Sequence, residues 1–175
     1  MNNLTRMREV LKDDPVWQKF RNTIKNLWQP EFENHIEEIK KLHTGRSIRS
    51  INPHMPTGKG IAEAAARDQM VRSRCVEIAI NVTVVRNLMA VAIKNAGKYV
   101  EVKYATYMEK SLGLHTLNSR NSMKSALLGP YYKRFDDLET VLEIVDMVIE
   151  DCDKSSYTIK HLTEAITVAT KREGL

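Results

Sequence analysis

Cysteine is nearly absent from the chain. Two cysteines in 175 residues, Cys75 and Cys152, exclude a disulfide framework and a paired Cys-x-x-Cys zinc site. Both sit on apolar stripes and read as small core residues, which fits a reducing compartment. Glycine and proline are scarce too, seven and five, so turns are few and long uninterrupted patterns lie between them. No stretch alternates apolar and polar with period two, which excludes strands, and no repeat of about 20–50 residues is visible. No hydrophobic run of transmembrane length stands out, and the opening MNNLTRMREV is too polar for a signal peptide. The expected location is the cytoplasm, a host's if the chain is viral, or else a virion interior, with no membrane partner.

Catalytic signatures are missing as well. There is no His-Glu-x-x-His and no Gly-x-Ser-x-Gly. The five histidines, His35, His43, His54, His115 and His161, are spaced for no single metal face. Thr57-Gly58-Lys59-Gly60 imitates a phosphate loop but lacks the Ser/Thr after the lysine, the earlier glycine and a preceding strand. The acids between Asp136 and Asp153 fall between seam positions and read as a solvated face. The expectation is a non-enzymatic protein without cofactor or metal.

What the chain does have is helical periodicity. From Asp136 to Arg172 a seam runs at spacings of three and four: Leu138, Val141, Val145, Val148, Cys152, Ser155, Ile159, Leu162, Ile166 and Ala169. Only Ser155 is polar, and a 3.5-residue period keeps such a stripe facing a partner helix. That partner is either another helix of the same chain or another copy, in a homo-oligomer. A second seam, Val71, Cys75, Ile78, Val82, Val85, Met89, Ala92, Ala96 and Tyr99, supplies an in-chain candidate. A single helix from about Gly60 to Leu112 would be roughly 75–80 Å long, with Gly97 the natural place for a bend.

Upstream, residues 4–12 form a short helix with Leu4, Met7 and Leu11. Asp14-Pro15 opens a second, as N-cap and first helical residue, carrying Trp17, Phe20, Ile24 and Trp28. Pro30 opens a third with Phe32, Ile36, Ile39 and Leu42, stopped at Gly45. Downstream of the long helix come a loop over 114–118, a short helix from Ser119 to Leu128, and a break at Gly129-Pro130. The fold class is all-α: a long helical hairpin or coiled-coil core with a small N-terminal helical subregion. The organisation read from this is residues 1–44 as that subregion, 45–60 as a linker made basic by Arg46, Arg49, His54 and Lys59, and 61–175 as the long-helix core.

Charge is distributed unevenly. Residues 1–66 carry a balance of +3, residues 67–134 of +8 and residues 135–175 of −6. This asymmetry points either to a polyanion site in the centre or to an acidic helix neutralising a basic one. Between Lys94 and Phe135 there are eight Lys/Arg, two acids and five of the six tyrosines. Cations neutralise phosphates, and aromatic faces stack on unpaired bases without reading sequence. Tyr99, Lys103, Tyr107 and Lys110 share one helix face. The nucleic-acid-contact candidates are therefore Lys98, Lys103, Tyr104, Tyr107, Lys110, Arg120, Lys124, Lys133 and Arg134. The bland alternative makes the tyrosines core residues and the lysines aids to solubility.

Three pieces of this half resemble the UvsY family, the recombination mediators of T-even-like phages: Lys103-Tyr104 with Tyr107 and Lys110; Asn121-Ser122-Met123-Lys124 followed by Leu127; and Ile159-Lys160-His161 with Glu164. The similarity spans about residues 72–174 with gaps, and Ala105-Thr106 separate tyrosines that the family has adjacent. The resemblance implies a non-enzymatic, oligomeric protein that binds single-stranded DNA and helps a RecA-like recombinase displace single-strand-binding protein, with the C-terminal helices assembling a ring. It implies DNA contacts for Lys103, Tyr104, Tyr107, Lys110 and Lys124. Two other functions fit the same pattern. One is a helical structural or assembly subunit of a virion, lining nucleic acid or forming neck or coat. The other is a small backbone-binding subunit of an RNA-guided complex.

Overall fold

In a computed structural model, residues 2–28, 31–46 and 57–173 are described. Arg49, His54 and most of the linker read over 45–60 lie outside them. The protein is all-α: α1 (Asn3–Lys12), α2 (Pro15–Leu27), α3 (Glu31–Thr44), α4 (Gly58–Lys103), α5 (Ala105–Lys110) and α6 (Leu117–Glu173), with no strand among the described residues. The N-terminal caps are those the residue types dictate. Asn2 accepts from the Thr5 N–H, and Asp14 accepts from the Val16 and Trp17 N–H groups. Thr116 caps α6 through the Ser119 N–H.

The chain divides into two compact units, Met1–Pro30 with Thr83–Glu139, and Glu31–Val82 with Thr140–Leu175. In the first, α1 and α2 pack Met7, Leu11, Trp17, Phe20 and Ile24 into a core with Met89, Ile93, Ala96 and Val100 of α4 and Met123, Leu127, Leu128 and Leu138 of α6. Each such side chain contributes about 1.5–3 kcal/mol when fully buried. Here α4 and α6 run antiparallel. Arg86 pairs with Glu139 at 2.5 Å and lies over the Phe135 ring at 5.1 Å, and Lys124 pairs with Glu101 at 2.7 Å.

In the second unit, Phe32 and Ile39 of α3 join Val71, Cys75, Ile78 and Val82 of α4 and Val141, Val145, Val148 and Cys152 of α6. Arg72 pairs with Asp153 at 2.7 Å. Arg46, just past α3, is buried despite its charge. It forks onto Asp68 at 2.8 and 2.9 Å and also reaches Asp151 and Ser155. His43 bonds the same Asp151 at 2.8 Å. The C-terminal seam is thus covered inside the chain as far as Cys152, whereas Ile159, Leu162 and Ile166 are only half-buried.

Two expectations need correction. The break at Gly129-Pro130 does not occur, and α6 runs through Pro130. A proline inside a helix costs about 3 kcal/mol. Its i−4 residue, Ala126, is exposed, so water can serve the freed carbonyl, while Leu127 and Leu128, buried in the first unit just before it, hold the helix in place. Nor does the long helix run to Leu112. It is interrupted at Tyr104, whose φ of −106° and ψ of 11° separate α4 from α5, and the turn ends at Gly113 with φ +68°, the Leu114 N–H reaching back to the Met108 carbonyl. Gly97 lies inside α4 at a close approach. A Cβ there would lie 3.3 Å from Leu128 Cδ1, so the missing side chain lets α4 and α6 come together.

Candidate nucleic-acid interface

Part of the face expected to meet nucleic acid is engaged by Asp14, the N-cap of α2. Asp14 is 4% exposed. Its Oδ1 caps α2, and its Oδ2 accepts from Lys103 Nζ at 2.7 Å, the Tyr99 hydroxyl at 2.8 Å and the Tyr104 hydroxyl at 2.5 Å. Burial by itself raises a carboxyl, but the bonds from Lys103, Tyr104, the Trp17 N–H and Tyr99 outweigh it and hold Asp14 far below the usual carboxylate range. The same contact, with Asp14 first and the Tyr99 hydroxyl second, holds the Lys103 ammonium well above its ordinary value. Burial, then the bond to Asp14, pushes Tyr104 up to about 12. Tyr104 is therefore a core residue whose ring cannot stack on a base, and Lys103 already has its anion. Tyr104 thus has a structural role, and Lys103 carries a structural contact while its side chain stays half exposed.

The other candidates divide. Lys124 is paired with Glu101, and Arg120 lies 3.9 Å from Glu109. Lys98, Lys110 and Lys133 are exposed and form no ion pair among the described residues; Tyr107 is half-buried. Arg134 is half-buried, its guanidinium 5.4 Å from the centre of the Trp28 ring.

Arg134 belongs to a feature that the charge pattern of the central block did not reveal. A groove of about 710 Å³ opens between the end of α1, the outer face of α2 and α6, lined by Lys12, Asp13, Gln18, Arg21, Asn22, Lys25, Pro130, Tyr131 and Arg134. Four cations face a single acid. Tyr131 forms the floor, packed edge-on against Phe20 at 4.8 Å and Trp17 at 6.2 Å. Burial raises its hydroxyl pKa, and the nearby charges of Arg21, Arg134 and Arg8 partly offset that shift. Arg21, Lys25 and Trp28 follow one another at steps of four and three, a basic-aromatic face on α2. That spacing is readable in the sequence, where Trp28 also continues the Trp17, Phe20, Ile24 series.

Among the described residues no group of three His, Cys, Asp or Glu side chains is gathered to hold a metal ion. α4 is long and apolar enough, by length and composition, to cross a membrane, so the reading that no such run exists is corrected. Compared with known protein families, curated proteins and solved structures, the chain matches none.

Proposed function

We propose that the protein is a non-enzymatic, nucleic-acid-binding accessory protein that holds single-stranded DNA through the Lys12–Arg21–Lys25–Arg134 groove. The carrying observation is the groove itself: four cations against one acid, beside Tyr131 and the Arg134-covered Trp28. Guanidinium and ammonium groups take phosphates, and a groove rather than a single pocket follows a backbone. Exposed Lys98, Lys110 and Lys133 in the same unit extend the positive field. The resemblance of Asn121–Lys124 and Ile159–His161 to the recombination mediators supports a narrower role, in which the bound strand is passed to a RecA-like recombinase in place of single-strand-binding protein.

The test is fluorescence anisotropy with a labelled oligothymidylate. Binding at low salt should weaken as salt rises, and Arg21→Ala with Arg134→Ala should weaken it at least tenfold. No measurable affinity at low salt, or a double variant that binds as tightly as the parent, overturns the reading. The mediator role is read separately, as faster recombinase assembly on DNA pre-coated with single-strand-binding protein.

A further inference from the structure

The outer face of α4 carries an exposed apolar stripe flanked by Asn87. Ile80, Val84, Leu88 and Val91 are 58%, 53%, 51% and 57% exposed. Their steps of four, four and three place them within about 80° of one another around one helix, on the side away from buried Val82 and Met89. Arg86, the only charged residue between Ile80 and Val91, is turned away to Glu139 and Phe135. Exposed large apolar side chains are normal singly, but a contiguous stripe marks an interaction surface.

We infer that this stripe is the face through which two copies of the chain associate, helix against helix and antiparallel. The stripe is nearly its own complement. Turned end for end about a point midway between Val85 and Arg86, Ile80 comes to the level of Val91 and Val84 to within one residue, about 1.5 Å of helix rise, of Leu88, close to what a two-fold, isologous contact requires. The charges select the same direction. Exposed Glu77 lies beyond one end of the stripe and exposed Lys94 beyond the other. Antiparallel packing brings each Glu77 to the level of the other copy's Lys94, whereas parallel packing sets like charges side by side. Glu77 keeps its in-chain bond to Arg74 at 3.0 Å and still has more than half its side chain exposed. The α6 seam cannot do this work as far as Cys152, because it is buried within the chain. The inference does not depend on nucleic-acid binding.

The experiment is sedimentation equilibrium of the full chain without nucleic acid, with circular dichroism as the folding control. The parent should approach twice the 20.1 kDa chain mass at tens of micromolar. Leu88→Glu should return it to the chain mass with its helix content unchanged, since the position is exposed. Glu77→Lys should weaken association about tenfold, and Glu77→Lys with Lys94→Glu should restore it. In an Ile80→Cys, Val91→Cys variant, oxidation should join position 80 of one copy to position 91 of the other. A monomeric parent, a dimer indifferent to Leu88→Glu, or a bond between two copies of position 80 overturns the inference. So does a monomer that co-sediments with neutral phosphatidylcholine vesicles through this stripe, which would assign it to a lipid surface.

Discussion

Asp14→Ala tests the contact that reorganised the expected binding face. The substitution removes the α2 N-cap, worth about 1 kcal/mol, and strands the groups bonded to Oδ2. Tyr104 is buried and loses its acceptor, at about 1–3 kcal/mol. Lys103 is half exposed, so water recovers most of its loss and it adds little beyond that. The total is about 2–4 kcal/mol, overlapping the range for breaking a buried charged contact. Asp14→Asn keeps a capping oxygen and an acceptor but loses the charge, and should cost about 1–2 kcal/mol. Both tryptophans, Trp17 and Trp28, belong to the unit that contains Asp14. Tryptophan fluorescence during urea unfolding therefore reports that unit alone, even if the other melts separately. Equal losses for Ala and Asn, or a loss under about 1 kcal/mol for Ala, would refute the reasoning.

Other consequences are open to measurement. Lys103→Met should lower stability in the same assay yet leave single-stranded DNA affinity within about twofold, because Asp14 already holds that charge; an affinity loss as large as that of the groove variants would return Lys103 to the binding face. The folded-state pKa of Asp14 lies below its ordinary 3.8, and that of Asp151 is lowered too, by His43 first and by Arg46. Both contribute stability that is complete above the ordinary carboxylate range and lost as pH falls through it. Urea midpoints should therefore be flat with respect to these acids above about pH 5 and fall below it, less steeply in Asp14→Asn. Gly97→Val should cost about 1–3 kcal/mol by pushing on Leu128; an unchanged midpoint would show that α6 gives way freely there.

Much of the fold was legible because local chemistry and tertiary packing agree. Asp14-Pro15 announced α2, and the stripes over 71–96 and 138–152 marked the buried faces. The errors fall where long-range contacts override local preference. Pro130 signals a break, and packing around its neighbours keeps the helix intact. Tyr104 reads as a residue of the basic-aromatic block, but a carboxylate 90 positions earlier claims it. The groove was the least legible feature. Its cations come from Lys12, Arg21 and Lys25 on one side and Arg134 on the other, and no window along the chain contains them all. The Arg21–Lys25–Trp28 spacing was the available clue, and it is too short to announce a site without its partner wall.

The central claim is that the groove holds a nucleic-acid backbone. The direct measurement is the salt dependence of binding to oligothymidylate, for the parent and for Arg21→Ala with Arg134→Ala. Each phosphate neutralised on a single strand contributes about −0.7 to the slope of log K against log salt. Four groove cations should give the parent a slope of about −3, and losing two should reduce its magnitude by about 1.4. A parent slope near zero, or one that the double variant leaves unchanged, would contradict the account.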